Sequence, residues 1–216
     1  MEKIELGRYA AAVFKAENAE ARPVIYIHTA AEECAEIFAA SAKAATLVCV
    51  SGIDWNSDMS PWPAPRAFKG GEDFAGGAGE YLRQLENDII PAVEAKLGFI
   101  PAKRGIAGYS LGGLFALWSI YNTELFNLAA SASGSLWFDG WIEYIHANAP
   151  KIQPERVYIS VGDREKNARD LRMRMVEDNS RLTAQLLAAK FELNEGNHFK
   201  DAPLRMVWAI DYISGA

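Results

Sequence analysis

The sequence predicts an α/β protein, a mostly parallel sheet with helices on both faces, and three observations carry the prediction. Continuously apolar runs at 24–27 and 46–50 have the composition of strands buried on both sides. Longer segments with apolar residues at helical spacing alternate with them. Between residues 105 and 121, small apolar residues pass through a glycine-rich turn into an apolar helix-like stretch, a strand, sharp turn and helix in succession.

In chain order, residues 4–16 and 23–28 read as two early strands. Residues 32–44 read as a short alanine-rich helix with Cys34, Ile37 and Phe38 on one stripe, and 46–51 as the next strand. From 52 to 79 the pattern breaks: prolines crowd 61–65 and glycines stand at 70, 71, 76, 77 and 79. A loop that long in a compact domain is commonly functional, and Trp55, Trp62, Phe68 and Phe74 suggest that it packs as a rim over a site. Residues 80–97 form an amphipathic helix that Pro91 should kink or restart. Strands at 125–133, 156–161 and 191–194 then alternate with helices at 141–147, 171–190 and 202–213.

The chemistry-bearing stretch is Gly108-Tyr109-Ser110-Leu111-Gly112, the G-x-S-x-G nucleophile elbow. In such a turn the serine is held in a strained conformation with its hydroxyl pushed out of the packing, and glycines accommodate the close approach of strand and helix. The following helix aims its first N–H groups and positive dipole end at that hydroxyl, which suits a carbonyl oxygen becoming an anion, hence acyl transfer. The chemistry needs an acid and then a histidine later in the chain. His198 follows a strand in the loop Gly196-Asn197-His198-Phe199 and is the expected base. Asp163 and Glu165 stand at the end of the preceding strand as candidate acids, with a Ser/His dyad as the remaining alternative. The backbone N–H of Leu111 and one near Ala30, after the strand ending at His28, are the expected oxyanion donors. His28 itself reads as a wall residue or packed polar group, and His146 as a solvated residue on a helix. Trp55, Trp62 and Trp137 are the expected pocket aromatics.

At 216 residues with half of them apolar, the chain fits one domain over 1–216. A net charge of −6 gives no basic footprint for nucleic acid or an anionic membrane, so a small-molecule substrate is expected, and the elbow makes it an ester. No apolar run approaches the roughly 18 residues of a spanning helix. The charged N-terminal residues lack a secretory apolar region, and Cys34 and Cys49 read as buried free thiols, so a cytoplasmic location is expected. No metal-ligand spacing or phosphate loop is present, and no cofactor is implied.

Taken together, several segments resemble one family. They are Ile53-Asp54-Trp55 with Asp58-Met59-Ser60-Pro61-Trp62, Gly76-Gly77-Ala78, Ala107-Gly108-Tyr109-Ser110-Leu111-Gly112-Gly113, Ser133-Gly134-Ser135-Leu136-Trp137, Gly162-Asp163-Arg164-Glu165 and Glu195-Gly196-Asn197-His198-Phe199. The chain from about Pro23 onward resembles the esterase family of α/β-hydrolases that includes esterase D and the enterochelin and other siderophore esterases. It departs from the siderophore esterases at Gly134, where they carry proline, and at His28-Thr29-Ala30, where aspartate and glycine are usual. The resemblance implies a single-domain α/β-hydrolase fold and an acyl-enzyme mechanism with Ser110 as nucleophile, His198 as base and Glu165 as acid. The expected activity is that of a serine esterase. A thioesterase or acyltransferase on the same triad, or a catalytically silent binding protein of this fold, are the alternatives.

Overall fold

A computed structural model describes residues 1–67 and 69–216; Phe68, one of the expected rim aromatics, lies outside the described residues. The strands are β1 (Glu2–Leu6), β2 (Tyr9–Phe14), β3 (Val24–His28), β4 (Thr46–Ser51), β7 (Arg104–Tyr109), β8 (Leu128–Ala132), β9 (Arg156–Gly162) and β10 (Lys190–Asn194), with the pair β5 (Pro63–Ala64) and β6 (Phe74–Ala75) set apart. The main sheet has the order β1-β2-β4-β3-β7-β8-β9-β10. Its first two pairings are antiparallel and the rest parallel. The single early strand expected over 4–16 is a hairpin instead, because Gly7 takes a positive φ of 67° and turns the chain back.

Helix α1 (Ala31–Ala40) and helix α8 (Ala202–Ser214) cover one face. The other face is covered by α3 (Ala78–Gln84), α4 (Ile90–Leu97), α5 (Leu111–Asn122), α6 (Trp141–Ala147) and α7 (Val176–Leu186). Two separate apolar layers result, one on each side of the sheet, and this is why the central strands carry apolar residues on both faces. A π-helical turn, Leu85–Ile89, joins α3 to α4 without a break, just before Pro91, which has no N–H to continue the helical ladder. The helix expected from 171 begins at Val176, after short 3-10 turns at Glu165–Asn167 and Met173–Met175.

Residues 52–79 are more ordered than a bare loop. They hold α2 (Trp55–Asp58) and the β5/β6 pair, and their base is closed by Gly77 N–H donating to Ser57 O at 2.9 Å and Ala78 N–H to Ser60 O at 3.1 Å. The buried Asp58 carboxylate accepts Arg8 at 2.8 Å.

Cys34 and Cys49 correct an expectation: they are joined in a disulfide, with Cα atoms 6.2 Å apart. Cys34 lies in the first turn of α1 and Cys49 in β4, the two elements of one crossover, and both side chains belong to the layer between α1 and the sheet. Each residue's apolar surroundings were legible, but not that the strand register would bring them face to face. With the thiols paired, a reducing compartment loses its support. No described helix is long and apolar enough to cross a membrane.

Candidate active site

The order of strands reverses between β3 and β7, which lie side by side while their chain neighbours run outward in opposite directions. In an open parallel sheet this leaves a crevice at the carboxyl ends of those strands. Here it lies between His28 of β3 and Tyr109 of β7, and Ser110 stands at its edge.

Ser110 has φ 56° and ψ −124°, outside the ordinary region for a residue with a side chain, and directly precedes α5. The turn is held by Ser135 N–H donating to Ser110 O at 2.9 Å, besides the helical bonds to the same oxygen from Gly113 and Leu114. A Cβ on Gly108 would fall 2.2 Å from the Gly112 backbone, so the turn admits only glycine there. At Gly112 a Cβ would meet only the Trp55 ring at 3.5 Å, an ordinary contact. The second crowded position is Gly113, where a Cβ would come 2.7 Å from Ser131 Oγ and 2.9 Å from Gly134 Cα.

The structure brings three of the expected site residues into one line. His198 Nε2 is 3.1 Å from Ser110 Oγ, and His198 Nδ1 is 2.8 Å from Glu165 Oε2. Of the two candidate acids, Asp163 instead accepts the Gly196 N–H at 2.7 Å, bracing the loop that carries His198. The other Glu165 oxygen accepts the Gly162 N–H at 2.7 Å and Arg205 Nη1 at 3.2 Å. Burial pushes the Glu165 carboxyl up, but the hydrogen bond and charge of His198 and the Gly162 N–H outweigh it and hold the group below its ordinary value.

The histidine loop is bound at every carbonyl from 194 to 198. Asn194 O accepts the Asp163 N–H, Gly196 O the Arg164 N–H, Glu195 O and Asn197 O both accept Arg205 Nη2, and His198 O accepts the Tyr109 hydroxyl at 2.6 Å. Sequence reasoning passed over Arg205 and Tyr109. The signal was a charged residue on the buried stripe of the last helix, since Arg205 is four and eight residues before Ala209 and Ile213.

Of the expected oxyanion donors, Leu111 opens α5, where an N–H has no acceptor within its own helix. Ala30 is exposed and directly precedes α1, which has no side-chain cap. A cavity of about 390 Å³ opens beside Ser110 and Leu111, lined also by Tyr109, Ile27, His28, Thr29, Glu33, Ile37, Met206 and Trp55. Among the three expected pocket tryptophans, Trp55 is the one that lines it. Trp62 packs on Phe138 and Tyr144 at 6.0 and 5.2 Å and donates to Asp139 O, while Trp137 packs on Phe74 at 6.3 Å, so both pin the rim to the core.

His28 is 5% exposed, with Nε2 2.9 Å from the Tyr81 hydroxyl and its ring between Tyr81 and Phe115; burial lowers its pKa to about 3, so it is neutral. His146 is exposed on α6.

The family described as "Putative esterase" matches residues 23–201. The uncharacterized protein YbbA of Bacillus subtilis (strain 168) is 34% identical over 111 residues, 50% of this chain and 44% of that protein. The apo-salmochelin esterase of Escherichia coli O6:H1 (strain CFT073) is 40% identical over 62 residues, 29% of this chain and 20% of that one. The chain thus spans less than half the length of the curated relatives it matches. A crystal structure described as an IroE-like serine hydrolase from Shewanella oneidensis has the same fold, with a TM-score of 0.75 at 17% identity over 99% of this chain and 79% of that one.

Proposed function

Since the chain belongs to this esterase family, we propose that it is a serine hydrolase that cleaves a small-molecule carboxylic ester through an acyl-enzyme. The observation that carries the reading is the Ser110–His198–Glu165 line, with distances of 3.1 and 2.8 Å on a strained elbow. His198 Nε2 takes the Ser110 proton as Oγ attacks the ester carbonyl. Glu165 holds the Nδ1–H and stabilises the imidazolium, which returns the proton to the leaving alcohol. The N–H of Leu111 and one near Ala30 bind the oxyanion, and water then repeats the sequence to release the acid.

Ser110→Ala tests this. With a p-nitrophenyl ester it should lower kcat/KM by about 10⁴-fold or more while circular dichroism stays unchanged, and a fluorophosphonate should label the native protein at Ser110 alone. Activity that survives the substitution would overturn the assignment.

A further inference from the structure

The cavity beside Ser110 supports a statement about what kind of ester is taken. Its inner wall is Ile27, Ile37 and Met206, each at most 4% exposed, so it runs inward between α1 and α8. Among the described residues its lining holds no lysine or arginine. The one carboxylate that can carry charge there is Glu33, engaged by the Thr29 hydroxyl at the outer end. Arg205, the nearest cation to the Ser110–His198–Glu165 line, is fully buried and committed to five protein acceptors. A substrate group with a negative charge would therefore be stripped of water against apolar walls with no cation to receive it, and would meet Glu33. A neutral hydrocarbon gains from the same walls, about fourfold per buried methylene.

Resting on the hydrolase reading above, we propose that the substrate carries an uncharged, apolar group that fills this cavity. The test uses two substrate series. In one, p-nitrophenyl acetate, butanoate and pentanoate are compared with p-nitrophenyl hemisuccinate, close to the pentanoate in length but anionic. In the other, acetate esters of ethanol and pentanol vary the alcohol. Either the acyl series should rise about 15-fold in kcat/KM from acetate to butanoate or the alcohol series about 60-fold from ethanol to pentanol, and where the acyl series rises the hemisuccinate should fall at least about tenfold below the pentanoate. Met206→Trp should flatten the rising series while fluorophosphonate still labels Ser110. Labelled protein that ignores chain length in both series overturns the proposal, as does one whose rate rises along the acyl series yet takes the hemisuccinate as well as the pentanoate. Failure of Ser110 to label at all refutes the underlying hydrolase reading instead.

Arg205 carries an independent observation. A fully buried guanidinium is costly unless its donors are used, and here they span both members of the acid–base pair. Nη1 reaches Glu165 Oε1 and, at 2.7 Å, Ser133 Oγ, while Nη2 holds the Glu195 and Asn197 carbonyls of the His198 loop at 3.0 and 3.2 Å. We infer that Arg205 is a positioning residue that fixes Glu165 and His198 relative to one another. It acts through those groups, so Arg205→Met should lower kcat about 100-fold with KM nearly unchanged, and Arg205→Lys, which keeps the charge but not the fork, should fall between. In a Glu165→Gln background the further loss from Arg205→Met should shrink below about threefold, because the acid it orients is already gone. A folded Arg205→Met protein with native kcat, or losses that multiply fully in the double variant, would overturn the role. Should the methionine variant not fold, the same comparison is made with lysine.

Discussion

The two sides of Ser110 are built differently. On the His198 side, five successive carbonyls are bound, Glu165 is buried with both oxygens occupied, and the fully buried Arg205 joins the two loops. On the β3 side, Ala30 is exposed, α1 starts without a side-chain cap, and Trp55 is 41% exposed over an open cavity. In the proposed mechanism proton transfer tolerates little misplacement, and the groups assigned to it are locked in advance. The side proposed to admit and release the substrate has fewer bonds to break.

The sharpest way to break this comparison is at the two carboxylates. Glu165→Ala should lower kcat about 10³- to 10⁴-fold, as loss of the imidazole's orienting acid does elsewhere, whereas Asp163→Ala, which frees the Gly196 N–H, should cost about tenfold or less. Equal losses in steady-state kinetics would mean that the locked side depends on loop bracing rather than on the acid.

Acid separates the two sides. His28 closes β3 with a folded-state pKa of about 3, against an ordinary value near 6.5. The unfolded chain takes up this proton first, so the stabilisation is complete above pH 6.5 and is lost as pH falls toward 3. Unfolding free energy should drop by about 2 kcal/mol between pH 7 and pH 5 from this group alone, and His28→Gln should remove that slope in urea titrations. Glu165 has the opposite chemistry: with its carboxyl held below the ordinary 4.5, its stabilisation is present above that pH and is lost only as pH falls through the lower folded value. Hydrogen exchange at pH 5 should therefore show the β3 side loosening first.

The smallest effect is expected at the rim. Trp55→Ala removes one half-exposed wall of the cavity and should raise KM about three- to tenfold with kcat nearly unchanged.

Much of this was legible in the sequence because it is local. Apolar runs mark β3, β4 and β9, and the strand–turn–helix signature places Ser110 within one turn. The loops carrying Glu165 and His198 follow from chain order. What escaped depends on side chains meeting across the fold. Arg205 stands in an apolar stripe, and its five acceptors come from four separate segments. Cys34 and Cys49 meet only through the register of β4 against α1. The crowded glycine is Gly113 and not Gly112, because the obstacle there is β8 and the loop after it, which the elbow pattern does not contain. Trp62 and Trp137 are rich in pocket-forming character but are spent on holding the rim in place.

The closed base of residues 52–79 has one more consequence. Ser57 and Gly77 touch through a backbone hydrogen bond, so this excursion leaves and rejoins the body at nearly one point, as a surface Ω-loop does. Its contour can lengthen or shorten without displacing α2 or α3, since the cost of changing a closed loop grows only slowly with its length. The part of the rim between those ends can therefore change length while Trp55, which precedes the closure on α2, keeps its place over the cavity and Ser110, His198 and Glu165 keep theirs at the edge of the sheet.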